Sequence, residues 1–285
     1  LMRPCLLGTI RGETMRTGIS TASLFSRKNN EEALPLLDAM GVRTAEVFLT
    51  SFSEYDGKFG ELLASRKGKV NVHSVHVLNT QFEPQLFSDH SRVKGDAFSW
   101  LGKAMETARA LGAEYYTFHG IARIKRAARS GANDRPAAWG KSLEEISAFC
   151  KNYGVCLCLE NVEWAIYNRP GVFRSLLKTC RGLCAVLDIK QARISAYPYP
   201  MYIRETAGRL KHVHVSDIDE NGKICLPGKG RFDFPELLKR LDGAGFSGPL
   251  LIEVYKDDYC KEGELKASLD YLDELLYKYS FADRE

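Results

Sequence analysis

Six apolar stretches of this 285-residue chain end, one after another, in residues of the types that bind metals and move protons. They read NVHSVHV at 71–77, TFHG at 117–120, CLENVEW at 158–164, VLDIK at 186–190, HVHVSD at 212–217 and LIEVY at 251–255. Their polar members include His73, His76, His119, Glu160, Asp188, His212, His214 and Glu253. A single carboxylate at the end of an apolar run is common, and backbone donors can satisfy it. Six such ends in order need another cause. Glu160, Asp188, His214 and Glu253 close the last four runs, and burying three acids together without a cation is costly for each of them. A divalent ion removes that cost. A Glu, Asp, His and Glu set also leaves positions for two substrate oxygens, as a catalytic rather than a closed structural site does.

For these residues to meet, the runs that carry them must lie side by side and parallel. Strands are expected at 15–20, 44–49, 70–77, 115–119, 155–160, 183–188, 210–216 and 249–254. Between them, amphipathic helical stretches at 30–40, 93–111, 141–153 and 234–244 each run into a glycine, Gly41, Gly112, Gly154 and Gly245. A glycine there is the usual left-handed stop. A last helix is expected at 264–279. Strand, helix, strand, repeated eight times, implies parallel strands joined by right-handed crossovers. The fold class is therefore α/β, a single (β/α)8 TIM barrel over residues 15–285, whose C-terminal mouth gathers all the strand ends. An open doubly wound sheet would carry a glycine-rich phosphate loop after its first strand, and ISTASLFS at 19–26 has no GxGxxG. Residues 1–14 hold a short apolar patch but no sustained apolar region with a cleavage site, so they read as a leader outside the barrel rather than a signal peptide.

The balance of residues narrows the partners. Hydrophobic side chains make up 45% of the chain and charged ones 27%, enough for one full core. With 40 basic against 36 acidic residues the net charge is only +4, unlike a dedicated nucleic-acid binder. Eight cysteines without a CxxC, mostly inside apolar runs such as GVCLCLE, fit reduced thiols in a cytoplasmic protein. No apolar run approaches the ~20 residues of a membrane helix, so no membrane partner is expected.

From residue 15 onward the chain resembles the xylose isomerase-like TIM barrels, the sugar phosphate isomerases and epimerases that also include the endonuclease IV type of DNA repair enzyme. The resemblance is carried by LEN at 159–161, by HVHVSD at 212–217 followed by PGKGRFDF at 227–234, and by GPLLIEV at 248–254. It makes Glu160, Asp188, His214 and Glu253 the metal ligands. Of the strand-seven histidines it favours His214, which precedes Val-Ser-Asp, and leaves His212 one layer deeper as support. It implies a metal-dependent isomerase or epimerase of a sugar, sugar phosphate, sugar acid or cyclitol, working through an enediolate-type intermediate. Glu160 and Glu253 would be the proton-transferring pair, the cofactor a divalent ion (Mn²⁺, Mg²⁺, Co²⁺ or Zn²⁺), and the partner a small carbohydrate, with a homo-oligomer as a further expectation. A dehydratase or lyase would share the first half of that chemistry, and an endonuclease IV-like phosphodiester hydrolase is the other alternative.

Further candidates surround this set. His119 and one of His73 or His76, with His76 favoured, are expected to reach the same cavity, as a second metal site or as substrate contacts. His73, three residues before His76, would face the other side of a regular strand. Lys190, Gln191, Lys229 and Arg231 are substrate-binding candidates, and Glu163 is a weaker one. Glu46, on strand two, could face the barrel interior and is left out of the site. The loop at 120–136 carries Arg123, Lys125, Arg126, Arg129 and Arg135, which would suit an anionic group. AYPYPMY at 196–202 would wall the pocket. Departures from the family pattern also matter. The nuclease branch and the ketose 3-epimerases carry a His where this chain has Gln191. The nuclease's Asp-x-His after strand seven is replaced by IDENGKICLPGKG, so its third metal lacks ligands.

Overall fold

The computed structural model describes residues 14–78, 80–122 and 136–282. The expected leader therefore falls, Thr14 apart, outside the described residues, and so do Arg123, Lys125, Arg126, Arg129 and Arg135. Eight parallel strands close into a barrel, each hydrogen-bonded to its sequence neighbours and the first to the last. They are Arg16–Ser20, Thr44–Leu49, Asn71–Val77, Tyr115–Phe118, Cys156–Glu160, Cys184–Asp188, Leu210–Val215 and Pro249–Ile252. All lie within two residues of their expected bounds. Apolar side chains on the outer strand faces, such as Val47, Val75, Leu159, Leu187 and Val215, pack against Leu34, Leu37, Leu63, Leu101 and Met105 of the helix layer. This burial is what closes the ring.

The long helices Asn30–Ala39, Ser91–Leu111, Pro136–Lys151, Phe234–Gly243 and Gly263–Ala282 match their expected positions. Helix Gly57–Arg66, between strands two and three, and the short helices Val172–Leu176, Ile189–Ile194 and Tyr199–Thr206 were not expected. A small antiparallel pair, Asp217–Ile218 with Ile224–Cys225, follows strand seven. The seven described cysteines form no disulfide among the described residues, and no described helix is long and apolar enough to cross a membrane.

Two irregularities in the pairing set which side chains point inward. Ala45 pairs with Val72 but Glu46 with Ser74, so His73 is an extra residue in strand three. Likewise Ala185 pairs with Leu210 and Val186 with His212, which leaves Lys211 unpaired in strand seven. A bulge breaks strand alternation. It corrects the expectation that His73 and His76 face opposite sides: the His73 ring lies 5.2 Å from that of His212, inside the barrel.

Leu251, the register partner of His214 on one side and of Gly18 on the other, fills interior space because Gly18 on strand one has no side chain. A Cβ at Gly18 would lie 2.3 Å from the Thr44 carbonyl oxygen and 2.7 Å from Leu251 Cδ2. Both neighbours belong to the closed sheet and have nowhere to move. Gly18→Ala is expected to destabilise the fold by about 1–3 kcal/mol through overpacking. Urea unfolding followed by circular dichroism checks this, with Gly95→Ala, where nothing lies within 4 Å of the added carbon, as the control.

Candidate metal centre

Glu160 and Asp188 are the last residues of their strands, His214 is the penultimate residue of strand seven, and Glu253 directly follows strand eight. The Glu253 N–H donates to Val215 O at 3.0 Å, so backbone bonding continues as far as the site. Asp188 Oδ1 accepts from the Gln191 N–H at 2.9 Å, capping helix Ile189–Ile194. Asn161 locks the neighbouring loop, donating to Asp188 O at 2.9 Å and accepting from its N–H at 2.8 Å. One potential ligand atom from each of Glu160, Asp188, His214 and Glu253 lies within 4.8 Å of the other three. All four are buried, none more than 7% exposed.

His214 ties the group together. Its Nδ1 lies 2.9 Å from Glu160 Oε1 and 3.1 Å from Glu253 Oε2, and its Nε2 lies 3.0 Å from Glu46 Oε1. Burial works against a charge on this imidazole, but Glu253, Glu46 and Glu160 outweigh it and raise the pKa well above the usual value. Burial would also raise Glu160. The charge of His214 and the bonds from His119 and His214 instead hold it well below the usual range. Asp188 lacks such help. Burial, with Glu160 and Glu253 nearby, pushes it up to about 6 despite Lys190. This is a cluster short of positive charge, and it fits a divalent cation. Glu160 Oε2 and Glu253 Oε2 are buried without an aligned hydrogen bond among the described residues.

A second group adjoins the first through Glu160. His119 Nε2 lies 3.0 Å from both Glu160 Oε2 and His76 Nε2, and these three residues can also converge on one ion. Phe48 at 5.0 Å from the His76 ring and Trp164 at 5.5 Å from the His119 ring wall this side.

The family model of xylose isomerase-like TIM barrels matches residues 34–275. This chain belongs to that family. Within and around it, fructoselysine 3-epimerase of Escherichia coli O157:H7 is 25% identical over 183 residues, covering 61% of this chain and 63% of its own. The chain thus spans just under two thirds of the length of that curated relative. Among solved structures, a D-tagatose 3-epimerase-like protein aligns over 94% of this chain and 99% of its own, with a TM-score of 0.77 and 19% identity. D-Psicose 3-epimerase from Clostridium cellulolyticum H10, solved with D-tagatose, aligns over 92% and 99%, with a TM-score of 0.75 and 17% identity. At such identities these structures speak for the xylose isomerase-like fold.

The other candidates are scattered. Lys190 is buried, with Nζ 3.8 Å from Asp188 Oδ2 and 4.2 Å above the Tyr255 ring. Burial opposes its charge, but Asp188 and then Glu253 raise its pKa. Gln191 turns its side-chain oxygen to the Glu163 N–H at 3.2 Å, tying helix Ile189–Ile194 to the loop after strand five. Lys229 and Arg231 are exposed on their loop. Tyr197, Pro198 and Tyr199 line a cavity of about 370 Å³ together with Lys190, Ile218 and Phe232. His212 sits below His214, its Nε2 3.2 Å from Glu46 Oε2. His73 does not reach the cluster. It lines the largest described cavity, about 590 Å³, with Arg16, Tyr115 and Lys211 at the opposite, N-terminal mouth. Size alone does not make that cavity the reactive one. Barrel chemistry is built where the strands' C-terminal ends converge, and the acids are there. Burial, His212 and Arg16 hold the His73 pKa down to about 2, so it stays neutral.

Sequence reasoning left two residues out of the site. Glu46 is fully buried beneath the cluster. Its signal was a lone acid at an alternate position of an apolar strand, TAEVFL, which alternation cannot assign to the inner or outer face. Asp217 is the other. Its carboxylate accepts from the backbone N–H groups of Gly228 and Gly230 at 3.0 Å and of Phe232 at 2.8 Å, folding PGKGRFDF against the mouth. A Cβ at Gly230 would stand 2.2 Å from Ile218 O. Asp217→Ala leaves these donors without their acceptor and should cost about 1–3 kcal/mol of stability. Hydrogen exchange at Gly228, Gly230 and Phe232 should accelerate, while that of strands two to five stays slow.

Proposed function

We propose that this protein is a divalent-metal-dependent isomerase or epimerase of a sugar or sugar derivative. The observation that carries the reading is the convergence of Glu160, Asp188, His214 and Glu253 within 4.8 Å at the catalytic mouth of a xylose isomerase-like barrel. Relatives named as 3-epimerases of fructoselysine, and structural neighbours named for D-tagatose and D-psicose, support a small carbohydrate as the substrate. The donor set suits Mn²⁺, Mg²⁺, Co²⁺ or Zn²⁺: three carboxylates favour a harder ion and the imidazole tolerates zinc.

A bound divalent ion would supply Lewis-acid polarisation of a carbonyl and its neighbouring hydroxyl, acidifying the C–H between them. Glu160 and Glu253 then act as the proton-transferring pair. They rise from strands five and eight, on different sides of the ring, so one removes the carbon-bound proton and the other returns a proton to the opposite face of the planar enediolate. Lys190, buried and charged beside Asp188, is suited to a substrate oxygen that gains negative charge. Gln191 gives the site a neutral amide, so any contact there is a dipole and not a titrating imidazole. The cluster of His76, His119 and Glu160 supports a second reading of the same mouth, a two-ion site bridged by Glu160. In that case the purified protein binds two divalent ions per chain rather than one.

The test is a panel of ketoses, sugar acids, sugar phosphates and inositols in D₂O, with chelated protein reconstituted with each metal. Chelation should abolish turnover and one of the four ions should restore it. Glu160→Gln and Glu253→Gln should each lose about 10²–10⁴-fold in kcat, the range for a positioned base. Metal content measured on the same samples separates a lost base from a lost ion. Deuterium should enter the substrate carbon. Turnover without solvent label would mean a hydride shift and would remove the two-base assignment.

A further inference from the structure

Below the proposed metal centre part of the barrel interior is polar, where barrels of this kind usually carry layers of branched apolar side chains. Its hub is Glu46. Oε1 accepts from Ser20 Oγ at 3.2 Å and lies 3.0 Å from His214 Nε2 and 3.4 Å from His76 Nδ1. Oε2 accepts from Ser74 Oγ at 2.7 Å and Thr117 Oγ1 at 2.5 Å, and lies 3.2 Å from His212 Nε2. Six groups from strands one, three, four and seven converge on one carboxylate from strand two. That exceeds the roughly four lone-pair directions a carboxylate offers, so both oxygens are fully engaged and Glu46 has little capacity left to ligate an ion itself.

We propose that Glu46 is a positioning residue that makes His214 a metal ligand through Nδ1. An imidazole has two edges, and the partner of one edge decides which nitrogen faces the metal. Glu46 takes the Nε2 edge, so the N–H resides there and Nδ1 is directed at Glu160 Oε1 and Glu253 Oε2, at 2.9 and 3.1 Å. The three hydroxyls fix the carboxylate, and the carboxylate fixes the ring. A neutral amide would not serve. Gln at this position presents an NH₂ group toward the donors on one of its two sides, and the ring loses its anionic partner. The inference rests on the metal reading above, because a ligand is positioned only where an ion binds.

The experiment compares wild type, Glu46→Gln and Glu46→Asp as full chains, with folding verified by circular dichroism. Each is titrated with Mn²⁺ by calorimetry, and its Co²⁺ form is examined by visible spectroscopy, which reports ligand geometry rather than stability. Glu46→Gln is expected to lose about 10–100-fold in Mn²⁺ affinity at unchanged stoichiometry, as loss of a partner behind a ligand typically does. Its Co²⁺ bands should shift. Glu46→Asp, which keeps the charge but withdraws it by one methylene, should fall between. It also supplies the comparison if the Gln protein does not fold. Wild-type affinity and Co²⁺ bands in a folded variant would overturn the positioning role. So would the disappearance of one ion from the stoichiometry, which would make Glu46 a ligand. A wild type that binds no divalent ion would overturn the metal reading first and this inference with it.

Discussion

Four carboxylates with almost no water around them set the terms for the upper half of this barrel. Glu46, Glu160, Asp188 and Glu253 are all buried, and a buried anion without compensation costs far more than a domain's net stability can absorb. The compensation comes from His214, which touches Glu160, Glu253 and Glu46 at once, and from Lys190, which stands beside Asp188. An imidazolium shared among three acids still leaves Glu160 Oε2 and Glu253 Oε2 without an aligned hydrogen bond among the described residues. A protein selected only for stability would replace such a cluster with packed hydrocarbon, which is often neutral or stabilising. On the proposed reading a cation would complete the cluster, and the same deficit of positive charge that costs the fold stability would favour its binding.

The rest of the architecture follows from holding that cluster still. A strand end is the most rigid place from which to hold a side chain at the rim of a barrel, since its backbone bonds run up to the last residue. Glu253 remains bonded to Val215 although it lies past its own strand. The two bulges do the finer adjustment. One inserts His73 and the other Lys211, both at the lower end of the ring, and above each of them the alternation resumes with His76 and His214 directed inward. Both bulges lie toward the N-terminal ends of their strands, away from Glu160, Asp188, His214 and Glu253.

How legible this was in the sequence depended on the physics of each part. The eight strands were readable because each is a short apolar run that a glycine or turn cuts off, and the convergence of Glu160, Asp188, His214 and Glu253 was readable because a strand's end is visible as the end of such a run. Helix Gly57–Arg66 was not, because it docks through Gly60 against Thr107 and Ala110. Close backbone approach leaves few apolar residues for a periodic signal. The inward turn of His73 was hidden for a different reason. A bulge depends on pairing with a neighbouring strand and is written in neither strand alone. Glu46 is mid-strand and acidic, which in one dimension looks the same whether it faces solvent, the helix layer or the barrel axis.

What separates this chain from its relatives in chemistry must then lie in the parts that the ligand geometry does not fix. On the proposed reading the four residues would constrain an ion, and the ion would constrain the substrate only to two adjacent oxygens. Discrimination falls to the loops beyond the strand ends, where a few residues are held as firmly as the ligands. Gln191 is bonded to the backbone of Glu163, and Lys190 is clamped between Asp188 and Tyr255. Asp217 imposes its shape on the loop through Gly228 and Gly230. The cavity beside Lys190 is walled by Tyr197, Tyr199, Ile218 and Phe232, an apolar surface next to a buried cation. A free sugar has hydroxyls on every face and gains little from such a wall, whereas a substrate with one apolar or aromatic portion would be oriented by it. Selectivity of that kind can change by replacing wall residues while the metal centre and its Glu46 support stay as they are, which is how one barrel can host several related reactions.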